Sequence, residues 1–108
     1  MAEDVQQRFA RIRAFEWNEE KRAENLRDHK IDFQDALQVM DGPTLVRRSD
    51  RKGEVRYMVF GFLDDKEVVV ICTFRGENCR IISARRARRD ERKKYYGGLA
   101  RRSEAGQD

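Results

Sequence analysis

The chain has 108 residues, enough for one domain with a single modest core. Charged residues make up 41% of it, the formal net charge is +4, and the longest apolar run, Val68 to Cys72, is far too short to cross a bilayer. A membrane-spanning helix is excluded, and because the one histidine and two cysteines lack the spacing of a zinc site, we expect neither metal nor cofactor.

Residues 1–14 show no sustained hydrophobic period, so we predict a loosely held N-terminal extension. The first 15 residues also lack the apolar core that a signal peptide requires. We therefore expect a cytoplasmic protein that does not enter the membrane.

Two helices are predicted to follow. The first is capped by Asn18, carries two glutamates in its first turn and runs to about Arg27. The second follows another capping residue, Asp32, and ends at Gly42. Its apolar residues fall on one stripe at helical spacing: Phe33, Ala36, Leu37 and Met40.

The period then changes to that of strands. Short turn-forming clusters separate four runs rich in β-branched and aromatic residues, and short turns imply an antiparallel meander. The third run is apolar on both faces, so it should be the central strand. The four runs are residues 44–48, 54–62, 67–74 and 79–83.

A block of basic residues ends the chain. Residues 80–102 hold ten basic and two acidic side chains, whereas the rest of the chain is close to balanced. From Ala84 the block is predicted to continue as a helix that Gly97 and Gly98 terminate, which leaves residues 97–108 as a flexible tail. The fold class is therefore α+β, with two N-terminal helices, a four-stranded antiparallel sheet and a basic C-terminal helix.

Such a concentration of positive charge is typical of a nucleic-acid-binding surface, because each neutralised phosphate releases counterions. Arginine predominates in the block, and its planar fork fits two phosphate oxygens at once. The alternative is a solvated helix surface with no ligand.

Several separated segments resemble the BrnT toxins of bacterial type II toxin–antitoxin systems. They are FEWNEEKRAENLRDHKIDFQDALQVMDGP from Phe15, CTFRG from Cys72, and RIISARRARRDERKKYY from Arg80. The resemblance covers residues 15–96, which we take as the toxin domain. It implies a RelE-like fold, an endoribonuclease that cleaves mRNA and inhibits translation, and a BrnA-type ribbon-helix-helix antitoxin whose complex with the toxin binds operator DNA.

Metal-free RNA cleavage requires groups that hold the phosphate in line and stabilise its extra charge. Arginines at the end of adjacent elements are expected to converge on one phosphate, with Arg56 as an additional member of the set. For each of them the alternative is a surface salt bridge. The expected clamp comprises Arg75, Arg80, Arg85 and Arg86.

Two further side chains are candidates for catalysis. His29 is the only side chain with an unperturbed pKa near neutrality, but it also lies where a protonated ring stabilises a helix end. Tyr96 is either a weak acid or stacking platform, or simply packs the helix, and the same holds for Tyr95. The predicted catalytic set is thus Arg75, Arg80, Arg86, His29 and Tyr96.

Two non-catalytic functions compete with the ribonuclease. In the first, a nucleic-acid-binding module uses Arg85, Arg88, Arg89 and Arg92 on one helix face to contact phosphates. In the second, the basic face docks an acidic protein segment. The full set of expected RNA contacts is Arg56, Arg85, Arg88, Arg89, Arg92 and Lys93.

Overall fold

A computed structural model describes the backbone of residues 5–105 and the side chains of residues 5–98. This part of the chain contains four helices and five strands. The helices are α1 (Val5–Ala10), α2 (Glu19–His29), α3 (Phe33–Asp41) and α4 (Arg89–Ala105), and the strands are β1 (Ala14–Glu16), β2 (Leu45–Arg48), β3 (Tyr57–Leu63), β4 (Lys66–Arg75) and β5 (Asn78–Arg86).

Helices α2 and α3 begin where their capping residues predict. The Asn18 Oδ1 accepts a hydrogen bond from the Lys21 N–H at 3.1 Å, and the Asp32 Oδ1 accepts one from the Gln34 N–H at 3.0 Å. Each cap satisfies a backbone donor that would otherwise lack a partner. Helix α2 extends to His29, and Lys30 then ends it in the left-handed conformation with φ 61°.

The sheet is five-stranded and mixed, with strand order β1-β5-β4-β3-β2. The predicted antiparallel meander is present as β2 to β5, and the apolar run lies in the middle strand, β4. The prediction of a purely antiparallel four-stranded sheet is wrong, because β1 adds a fifth strand parallel to β5. This strand has only three residues and no alternation of its own; its pairing with β5 defines it.

The sheet carries a core on each face. On one, here called the helical face, α2 and α3 cover side chains that include Val59, Val70 and Ile81. On the other, called the open face, α4 covers only the end that carries Phe60 and Val69, through Tyr95. The rest of the open face is available for polar residues.

The two ends of the chain differ from their sequence-based predictions. Residues 5–14, predicted to be loosely held, form α1 and begin β1, and Phe9 packs edge-on against Tyr57 and Phe74. At the other end α4 does not stop at Gly97–Gly98 but continues to Ala105. Gly98 instead allows a close approach, since a Cβ there would lie 2.3 Å from the Leu45 Cδ1. Residues 1–4 and 106–108 lie outside the described part of the chain.

Candidate active site

A row of polar side chains crosses the open face of the sheet. Glu16 of β1 pairs with Arg80 of β5, and Arg80 pairs with Thr73 of β4. Residues directly opposite each other in a ladder project to the same face, so the three side chains share one row. Arg56, which precedes β3, extends the row, and the Thr73 hydroxyl donates a hydrogen bond of 2.6 Å to the neighbouring Val55 carbonyl.

Three residues of this row, Arg56, Thr73 and Arg80, line a cleft of about 200 Å³, and Glu16 lies beside it through its contact with Arg80. Four of its lining side chains are cationic, and we call it the arginine cleft after Lys21, Arg56, Arg75 and Arg80. Lys21 comes from the first turn of α2, whereas the three arginines come from three different parts of the sheet. An anion in the cleft therefore meets positive charge from several directions.

Two carboxylates partly balance these cations. A Glu16 oxygen lies 3.5 Å from a guanidinium nitrogen of Arg80 and 3.9 Å from one of Arg75. On the opposite side of the cleft, the Arg56 Nε donates to the Glu54 carboxylate at 2.7 Å. A phosphate would enter this arrangement by competing with the carboxylates for the same guanidinium groups.

A β-bulge decides which arginines share the cleft. Cys72 pairs with Ile81 and Ile71 pairs with Ser83, so Ile82 is an extra residue in β5. Six residues along a regular strand would return a side chain to the same face, but this insertion reverses the alternation. Arg86 consequently pairs with Val68, whose side chain lies on the helical face, while Arg80 remains on the open face.

Asn25 of α2 fixes the strand next to this bulge. Its Nδ2 donates to the Ala84 carbonyl at 2.8 Å and to the Ile31 carbonyl at 2.9 Å. Its Oδ1 accepts from the Ala84 N–H at 3.1 Å and from the Ser83 hydroxyl at 3.2 Å. Because Asn25 is buried, these bonds hold the bulged segment against α2.

A second cleft, of about 360 Å³, contains Arg86 and His29. We call it the histidine cleft. Its other charged lining residues are of both signs, Lys30 and Lys66 against Asp35 and Asp64. Arg86 and His29 therefore lie in the same cleft, but neither lines the arginine cleft.

Tyr96 also lies away from the arginine cleft. Its hydroxyl donates a hydrogen bond of 2.8 Å to Glu67, the second residue of β4, whereas Arg75 ends that strand about 26 Å further along. This bond raises the pKa of Tyr96 above that of a free phenol and lowers the pKa of Glu67. Tyr95 is buried and donates to the Pro43 carbonyl at 2.7 Å, so its role is packing.

The start of the basic block is internally paired. Arg85 makes two hydrogen bonds to Glu91, of 2.7 and 2.9 Å, and the two side chains are only 15% and 11% exposed. Glu91 also accepts the backbone N–H of Arg88 at 2.7 Å. The hydrogen bonds from Arg85, and then that of Arg88, lower the pKa of Glu91 to about 2. Arg85 therefore holds α4 against the sheet.

The predicted arrangement of arginines on one helix face is wrong. Arg85 lies in β5 and Arg88 precedes α4, because pairing with β4 extends β5 beyond the predicted end of the strand. Arg92 donates to the Ala87 carbonyl at 3.1 Å. The remaining basic side chains at the start of α4 are exposed, namely Arg88, Arg89, Lys93 and Lys94.

Metal-binding clusters and membrane-spanning helices are both absent from the described part of the chain. There, no group of three or more histidine, cysteine, aspartate or glutamate side chains is placed to hold a metal ion. Nor does any helix within residues 5–105 have the length and apolar character needed to span a bilayer.

Comparison with known proteins identifies the family. The sequence profile of the ribonuclease toxin BrnT of type II toxin–antitoxin systems matches residues 17–91. This chain belongs to the BrnT family. A toxin of a type II system has an antitoxin as its partner, so membership implies one here. The match includes the arginines of the arginine cleft, while α1 and β1 precede it.

One solved structure supports this assignment of the BrnT fold. The ribonuclease toxin BrnT of Brucella abortus superposes with a TM-score of 0.56 at 25% sequence identity. The superposition covers 70% of this chain and 97% of that one. No curated protein matches the chain.

Proposed function

We propose that this BrnT toxin is a metal-independent endoribonuclease, RelE-like in fold, that cleaves mRNA in the cytoplasm and thereby inhibits translation. The observation that carries this function is the convergence of Lys21, Arg56, Arg75 and Arg80 on one cleft. A protein of a ribonuclease family needs such a site to hold a scissile phosphate without a metal ion.

In this proposal the cations of the cleft have separate tasks. Arg75 and Arg80 project from neighbouring strands on the same face, so their guanidinium groups bind the non-bridging phosphate oxygens. The charge on these oxygens grows in the transition state, and fixed cations in a partly enclosed site stabilise it more than the ground state. Arg56 binds the flanking backbone at the edge of the cleft.

The exposed cations of the C-terminal block support a second task. Arg88, Arg89 and Lys93 lie on the surface around the start of α4, outside the arginine cleft. Their positive field raises the rate at which an RNA polyanion meets the protein. They provide affinity that does not depend on sequence.

The antitoxin of this system is proposed to be BrnA-type, with a ribbon-helix-helix region that binds operator DNA. In this arrangement the toxin contacts DNA only through its partner. Neutralisation then requires that the partner keep RNA away from the arginine cleft.

Expression of the toxin alone should stop growth with loss of mRNA, and expression of its antitoxin should restore growth. Purified toxin should cleave RNA in buffer that contains a chelator. The same assay distinguishes an enzyme from a protein that only binds RNA. Normal growth with soluble toxin present, or RNA binding without turnover, would be incompatible with the proposed function.

His29 is expected to be dispensable for cleavage, because it lines the histidine cleft and not the arginine cleft. The change His29→Gln keeps a hydrogen-bond donor but removes proton transfer near neutral pH. We expect a cleavage rate within about threefold of the original and a loss of stability of about 0.5–1 kcal/mol, the size of a helix-end charge effect. Rate and thermal unfolding should be measured together. A loss of about 10²–10⁴ in rate with unchanged stability would instead make His29 catalytic.

A further inference from the structure

Glu16 lies beside the arginine cleft, in contact with two of the arginines that line it. It is in the same row as Arg80, on the edge strand β1, and its side chain is 33% exposed. Three side chains surround its carboxylate: Arg80 at 3.5 Å, Arg75 at 3.9 Å and the Asn78 Nδ2 at 3.3 Å. The carboxylate thus lies at the two guanidinium groups that would bind a phosphate.

Cleavage at a phosphate requires a base that removes the proton of the adjacent 2′-hydroxyl. The single histidine of the chain lines the other cleft, which leaves carboxylates as the candidates in this one. Glu54 is held by Arg56 through a short bond of 2.7 Å. The contacts of Glu16 with Arg75 and Arg80 are longer, so an entering phosphate displaces them more readily.

We propose that Glu16 is the general base of RNA cleavage, an inference that rests on the ribonuclease function proposed above. When a phosphate takes over Arg75 and Arg80, the Glu16 carboxylate loses two cationic partners and gains an anionic neighbour. Accepting a proton then becomes more favourable. The substrate itself activates the base, and the contacts with Arg75, Arg80 and Asn78 hold the carboxylate in place before the substrate binds.

Glu16 and Lys21 together move the two protons that the step requires. Glu16 takes the proton of the 2′-hydroxyl, the 2′-oxygen forms a bond to phosphorus, and the bond from phosphorus to the 5′-oxygen breaks. The 5′-oxygen leaves with a proton from the Lys21 ammonium, which lines the same cleft. The products are a 2′,3′-cyclic phosphate and a 5′-hydroxyl, and solvent returns the proton from Glu16 to Lys21.

The test compares Glu16→Gln with a control, Glu77→Gln. Glu77 lies in the turn between β4 and β5, and its carboxylate forms an exposed ion pair with Arg13. The rate of cleavage of an RNA oligonucleotide is measured at several pH values in buffer that contains a chelator. Binding is measured with the same oligonucleotide carrying a 2′-deoxy group at the scissile position, which the enzyme cannot cleave there. We expect Glu16→Gln to lower the cleavage rate by about 10²–10⁴ and to remove the rise in rate with pH, while the deoxy oligonucleotide binds as tightly or more tightly. Glu77→Gln should behave as the original protein.

Other outcomes overturn the role of Glu16. Cleavage within threefold of the original rejects it, as does an equal loss of cleavage and of deoxy-oligonucleotide binding, which indicates that Glu16 only positions the arginines. A loss in Glu54→Gln but not in Glu16→Gln assigns the base to Glu54. If Glu16→Gln does not fold, Glu16→Asp takes its place, because aspartate keeps the charge but draws the carboxylate back from the substrate. This variant should cleave slowly and bind the deoxy oligonucleotide normally. Full cleavage activity in Glu16→Asp would overturn the role of Glu16. An original protein that does not cleave RNA refutes the ribonuclease function itself.

Discussion

Replacing Arg80 with alanine should lower the rate of RNA cleavage by roughly one to three powers of ten, which corresponds to a loss of about 1.4–4 kcal/mol of transition-state stabilisation. Arg80 lies at the centre of the polar row and is only 27% exposed, so solvent screens its charge weakly. Because its interaction strengthens as charge develops on the phosphate, the loss should appear mainly in kcat. Single-turnover and steady-state kinetics on one oligonucleotide measure this.

Arg86→Ala provides the matched control, since Arg86 belongs to the same strand but faces the histidine cleft. It should retain cleavage within about threefold. Circular dichroism and thermal unfolding must show that both variants are folded. Equal losses in the two variants would mean that Arg80 and Arg86 act on one phosphate, against the separation that the β-bulge produces.

Replacing Glu91 with glutamine should cost about 3 kcal/mol of folding free energy at neutral pH. The pKa of Glu91 in the folded protein is lowered to about 2, from an ordinary value of 4.5, chiefly by the hydrogen bonds from Arg85. Each unit of this difference corresponds to about 1.4 kcal/mol in favour of the ionised folded state. Glutamine keeps the shape of the side chain but leaves the guanidinium of Arg85, 15% exposed, without its counter-charge.

The sign of this effect fixes its pH dependence. A lowered carboxyl pKa stabilises the folded state above the unfolded value of 4.5, and this stabilisation disappears as the pH falls towards 2. The difference between the original protein and Glu91→Gln should therefore be constant above about pH 5 and shrink below it. Denaturant unfolding at several pH values tests this.

The exposed pair between Arg48 and Asp50 supplies the control. Its side chains are 61% and 45% exposed, so Asp50→Asn should change stability by at most about 1 kcal/mol. An equally small effect of Glu91→Gln would show that the Arg85–Glu91 pair does not hold α4 in place.

Local signals in the sequence were sufficient for most of the fold. The caps at Asn18 and Asp32 define the starts of α2 and α3, and the change from helical to alternating periodicity locates β2 to β5. These predictions succeeded because they depend on neighbours within a few residues of each other. The three-residue strand β1 has no such signal, and only its partner β5 reveals it.

The site was less accessible to sequence reasoning for the same reason. Arg75 and Arg80 were predicted to lie together and do. Arg86 was separated from them by one inserted residue in β5, and nothing in the local pattern marks this β-bulge. Lys21 and Glu16 were not predicted as site residues, since tertiary packing of α2 brings Lys21 into the cleft and the pairing of β1 with β5 brings Glu16 to its arginines.

The pairing of β1 with β5 has a consequence for when the toxin becomes active. It joins residues 14–16 to residues 78–80, so the chain must close a large loop before the two strands meet. Contacts between such distant positions form late in folding. The pairing of β1 with β5 also depends on a strand of only three residues. A chain cut by a protease after β1 would keep every arginine of the arginine cleft but lose Glu16, the carboxylate that contacts Arg75 and Arg80.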